Sequence, residues 1–126
     1  MPSVVYKDEV KYISPLVDVS GTTPTEVARA LPENVKYVPV KIVIYNSDSS
    51  DHVVTLGSYN ITSGSWVEDK LVIKVLAGQM LVLNEDDIPS DFVITTDSNN
   101  ALMGWYAKLD SSVTNPVKVK AEFRLM

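Results

Sequence analysis

The chain has 126 residues, 45% of them hydrophobic, which suits one domain with a real core and is too apolar for a disordered chain. Sixteen acids against eleven bases leave a formal net charge of −5, so no general affinity for nucleic acid is expected, because that needs clustered Lys and Arg. Cysteine is absent, which excludes disulfides, thiolate metal sites and a thiol nucleophile.

The first dozen residues show no basic region followed by an apolar stretch, so no export signal is expected. No window is apolar enough for a membrane-spanning helix, so no membrane partner is expected either. Residues 4–6 suit a short strand, and 10–19 a strand broken at Pro15. Residues 1–19 therefore read as an N-terminal arm or a set of edge strands, ahead of a single sandwich domain over 20–126. Thr23 offers an N-cap, Pro24 suits the first helical position, Glu26 completes a capping box and Pro32 stops the run. That pattern predicts a helix of about two turns over 24–31.

Residues 35–45 form the longest apolar run. Pro39 interrupts it, so its first half is expected at an edge or a bulge. A strand over 52–56 follows the polar turn 46–51. Residues 70–77 and 79–84 are two apolar runs meeting at Gly78, and 92–96 is a short strand between turn clusters. In 101–109, Ala101, Met103, Trp105, Ala107 and Leu109 share the inner face. The clearest element is 117–125, where Val117, Val119, Ala121, Phe123 and Leu125 alternate strictly with Lys118, Lys120, Glu122 and Arg124. Seven to nine short strands, with turns roughly every ten residues, predict an all-β antiparallel β-sandwich with one short helix in the N-terminal third. Without the Cys…Trp…Cys spacing of immunoglobulin domains, jelly-roll topology is favoured.

Catalytic signals are sparse. The only histidine, His52, stands beside Asp51 without the further ligands that a metal site wants, and is expected as an exposed or edge residue. There is no G-x-S-x-G elbow and no phosphate-binding glycine loop, so neither a serine hydrolase nor a cofactor is expected. Glu85, Asp86, Asp87 and Asp91, with Asn84 nearby, are oxygen ligands of the kind calcium takes. Their spacing is not that of an EF-hand loop, and a solvated acidic turn is the plainer reading. The basic stripe Lys118, Lys120 and Arg124 suits a solvated strand face or a subunit contact. Tyr59 and Trp66 flank the loop 60–65, and Trp66, in a loop-like stretch, is a contact candidate for a ligand or partner.

The run Lys70-Leu-Val-Ile-Lys-Val-Leu-Ala-Gly-Gln-Met-Leu-Val-Leu-Asn84, then Ile88-Pro-Ser and Asp97-Ser-Asn-Asn-Ala-Leu, leads to the charged alternating strand at 117–125. This order resembles the β-sandwich proteins that decorate virus and bacteriophage particles or form their minor capsid and spike components. The resemblance implies a non-enzymatic jelly-roll subunit of the virion. It would be a homo-oligomer, a trimer or another symmetric ring, capping or cementing a major capsid or other shell protein. Its N-terminal segment would reach a neighbour, with Tyr6 and Tyr12 joining Tyr59 and Trp66 as partner contacts. The alternative is a carbohydrate- or cell-surface-binding module using Tyr59, Trp66 and the acidic loop near Glu85. A third reading is a small hydrolase using Asp86 or Asp87.

Overall fold

Period-two alternation of apolar and polar side chains sets the strands and decides which face of each is buried. The computed structural model describes residues 11–28, 36–88, 94–95 and 103–125, and all statements below concern these. In chain order the strands are β1 (Lys11–Ile13), β2 (Val17–Val19), β3 (Thr25–Ala28), β4 (Lys36–Asn46) and β5 (His52–Asn60). They continue with β6 (Ser65–Val75), β7 (Met80–Asn84), β8 (Ile94–Thr95), β9 (Met103–Leu109) and β10 (Val117–Leu125). One turn of 3-10 helix, Glu85–Asp87, follows β7.

Two antiparallel sheets result. The first has the order β1-β10-β4-β7, with β2 also on β10 and β8 also on β4; the second has the order β3-β9-β5-β6. Four antiparallel pairs organise them: β2 with β10, β3 with β9, β4 with β7, and β5 with β6. A ribbon of four such pairs, wrapped so that its ends fall in alternate sheets, is a jelly roll. The all-β sandwich expected from the strand rhythm is the observed fold.

The two inner faces meet in one core. Val19, Ile42, Ile44, Val117, Val119, Ala121 and Phe123 come from the first sheet. Val27, Ala28, Val54, Leu56, Val75, Trp105, Ala107 and Leu109 come from the second. Trp105 and Phe123 stack across the gap with ring centroids 5.7 Å apart, a contact that supplies geometry as well as buried area. Pro39 lies at a bulge, since the ladder of β4 on β10 steps from Lys41 to Pro39 over Val40.

The expected helix over 24–31 is not found where the chain is described. Thr25–Ala28 is a strand paired to β9, with Thr25 opposite Ala107 and Ala28 opposite Trp105. Val27 and Ala28 are buried in the core. A capping box stabilises a helix by about 1 kcal/mol; burying two apolar side chains in a sheet outweighs it. Residues 29–31 of that expectation lie outside the described residues, as do the strand expected at 4–6 and Tyr6. Residues 11–19, read as arm or edge strands, pair with β10 of their own chain, and Val19 is fully buried.

Gly57 is required by close approach. A Cβ there would lie 2.1 Å from the Glu68 carbonyl oxygen and 2.6 Å from Cζ2 of Trp66. Gly57→Ala should cost about 1–3 kcal/mol in urea unfolding, as overpacking does. Gly21→Ala, whose Cβ meets nothing closer than 3.6 Å, should leave the midpoint nearly unchanged.

Candidate functional site at one pole of the sandwich

The turns β2–β3, β4–β5, β6–β7 and β9–β10 meet at one end of the sandwich. Leu109 N donates to Gly21 O at 2.9 Å and Val113 N to Ser20 O at 3.2 Å. Gly78, in the left-handed conformation that favours glycine, donates to Asn46 O at 2.9 Å. Asp51 Oδ1 accepts from Ala77 N at 2.9 Å. Asn46 is the hub. Its fully buried side chain donates to Ser50 O at 2.8 Å and Val75 O at 3.0 Å, and accepts from Asp48 N at 2.9 Å. Buried backbone polar groups need partners, and this one amide satisfies three of them, two in the β4–β5 turn and one at the end of β6.

His52 sits at the centre. The alternation that buries Val54 and Leu56 also points His52 inward, and it is 3% exposed. The expectation of an exposed or edge histidine is therefore corrected: its ring lies between two carboxylates. Nε2 is 2.7 Å from Asp48 Oδ2, and Nδ1 is 3.1 Å from Asp110 Oδ1. Asp48 Oδ1 also accepts from Asn115 N at 3.2 Å, and Ser47 Oγ donates to Pro116 O. These bonds fasten the β9–β10 connection to the β4–β5 turn.

Burial alone would lower the imidazole pKa, but hydrogen bonds to Asp48 and Asp110, and their charges, outweigh it and raise it above 6.5. The His52 hydrogen bond holds the Asp48 carboxyl below its usual range, against a smaller opposing effect of burial. For Asp110 burial pulls upward, yet the bonds from His52 and Val53 bring the carboxyl down. The two carboxylates therefore favour the charged ring more than water does.

An Asp–His–Ser arrangement is present in outline, with Ser111 Oγ 3.4 Å from Nδ1. Asp110 lies nearer to that nitrogen, however, at 3.1 Å, and while the ring is protonated it has no lone pair to take a serine proton. The carboxylates also approach opposite ring nitrogens and so do not converge on a point. Among the described residues no group of three or more His, Asp or Glu side chains is placed to hold a metal ion.

The acidic run near Glu85 is committed locally. Asp87 Oδ2 accepts from Asn84 N at 3.0 Å, and Glu85 Oε2 accepts from Arg124 at 3.3 Å. Asp86 is exposed, and Asp91 lies outside the described residues. Of the basic stripe, Lys118 pairs with Asp18 at 2.9 Å.

Tyr59 and Trp66 are brought together. They face each other in the β5–β6 ladder, and Trp66 is the second residue of β6 rather than part of a loop. Tyr106, which the sequence reading passed over, stacks on Tyr59 at 4.2 Å. Lys108 Nζ lies 4.1 Å from the Trp66 ring centroid, and Trp66 Nε1 donates to Asp69 at 2.7 Å. Burial and the neighbouring Glu26 push the Tyr106 hydroxyl up to about 12. Tyr12 is placed apart from this strip, half-buried in β1 beside Phe123 at 6.3 Å.

No protein-family model matches the chain, and no curated protein matches it in sequence. Among the described residues no helix is long and apolar enough to cross a membrane.

The His52 cluster makes stability depend on pH from both sides. A raised histidine pKa contributes stability that is fully present below about 6.5 and lost as pH rises through the folded value. Lowered aspartate pKa values contribute stability present above about 3.8 and lost as pH falls through theirs. The Tm should therefore be highest between roughly pH 4 and 6.5 and fall toward pH 9. In His52→Gln the alkaline fall should vanish, which thermal melts across the range would show.

Proposed function

We propose that this chain is a non-enzymatic structural subunit of a virus particle, assembling with copies of itself through the two flanks of its sandwich. The observation that carries the reading is where apolar surface is left exposed. Of the seven large apolar side chains that are exposed among the described residues, five lie on one flank: Val67 and Val72 of β6, Leu76 of the turn, and Met80 and Val82 of β7. The other two, Ile13 and Leu16, lie on the opposite flank beside β1 and β2.

Both flanks end in strand edges, and β7 and β1 are opposite edges of one sheet. The β7 edge, Met-Leu-Val-Leu-Asn, carries no charge, and its ladder with β4 has no bulge. Soluble proteins usually blunt such an edge with charge, proline or a bulge. Joining one flank to the opposite flank of the next copy is a heterologous contact, which closes into a ring when the rotation permits. The topology is one that viral capsid domains share with lectins and cupins. A fold alone assigns no function, so the flanks and the resemblance to particle proteins carry the choice. The second reading, sugar binding, draws on the Tyr59–Trp66–Tyr106 strip, although those rings already engage one another, Lys108 and Asp69.

Light scattering on the purified chain tests the proposal. A closed oligomer is expected, with Val82→Lys or Met80→Lys reducing its mass to the monomer while circular dichroism shows the sandwich still folded. A monomer at every concentration, combined with glycan binding that Trp66→Ala abolishes, would replace this reading with the second.

A further inference from the structure

A neutral imidazole cannot satisfy both carboxylates that flank His52. The protonated ring donates from both nitrogens and the neutral ring from one only, so on deprotonation one carboxylate is left facing a lone pair. The surroundings decide which. Asp48, at Nε2, is 6% exposed and is also bonded to Asn115 N, so it cannot turn to water without breaking the pole. Asp110, at Nδ1, is 45% exposed and can. Beside it, Ser111 Oγ lies 3.4 Å from Nδ1 and 3.5 Å from Asp110 Oδ1. A hydroxyl donates or accepts as needed, whereas an ionised carboxylate only accepts.

We propose that Nδ1 of His52 exchanges partners with protonation, holding Asp110 when the ring is charged and accepting from Ser111 when it is neutral, while Nε2 keeps Asp48 in both states. The β9–β10 connection is thereby fastened to the pole from its Asp110 side on the acid side of the transition and loosened there on the alkaline side. The charged groups around the ring are few. Asp48 comes from the β4–β5 turn and Asp110 from the end of β9. Asp51, the residue before His52, is turned to Ala77 N and to Lys74 of β6, 3.9 Å away.

Because His52 is the only histidine, its ring gives a single set of NMR signals. Nitrogen-15 shifts above the transition should show the Nε2–H form with a bare Nδ1. Ser111→Ala removes a donor to the neutral ring and should raise the titration midpoint by about half a unit or more. Asp110→Asn removes a charge that favours the imidazolium and should lower it. An Nδ1–H ring at high pH, or a midpoint that Ser111→Ala leaves unchanged or lowers, would overturn the exchange. The first of these is read on the unaltered protein, so the test does not depend on any variant folding.

Discussion

Everything in this molecule depends on two sheets burying one face each against the other. A single-residue slip in any strand would turn its apolar set to water, so the register of each pair is enforced by the core it helps to form. Trp105 and Phe123 mark where this constraint is tightest, with large rings from opposite sheets stacked across the gap. The bulges are concessions to it. Pro39, which lacks an N–H, is accommodated by one step in the β4–β10 ladder. Gly57 admits Trp66 and the Glu68 carbonyl, with register steps on either side of that contact.

The pole built around Asn46 and His52 is a second, polar core. An ion cluster buried this way is weak evidence of stability, because desolvation offsets much of the attraction. What it supplies is connection: one buried amide and one buried ring tie together turns that lie far apart in the chain. The same inward alternation that fills the apolar core places His52 there, so the polar cluster extends the core pattern to the end of β5.

Much of the fold was legible and much of the pole was not. Strict alternation over 117–125 identified β10 and its buried face, and the turn rhythm identified the sandwich. Thr23 to Glu26 misled because capping signals are local, while pairing with β9 is decided by residues about 80 positions away. His52 looked isolated because one of its carboxylates is four residues away and the other 58. The available signal was its parity with Val54 and Leu56, which places it on the inner face. Trp66 read as a loop residue because Ser63, Gly64 and Ser65 precede it and steps in the β5–β6 ladder break its alternation. Pairing Tyr59 with Trp66 needed only a hairpin across 60–65; adding Tyr106 needed the order of the sheet.

The jelly-roll order also bears on how the chain reaches its native state. The ion pair of Asp18 with Lys118 spans 100 residues of sequence, and β10 lies between β1 and β2 on one side and β4 on the other. Most of the loop-closure entropy must be given up before that central strand finds its neighbours. A topology so dominated by distant pairings belongs among those that fold over roughly milliseconds to seconds rather than microseconds. During that interval the apolar faces of β4 and β7 have no cover. A chain with these strands open would be the species most prone to wrong association, through the uncharged β7 edge.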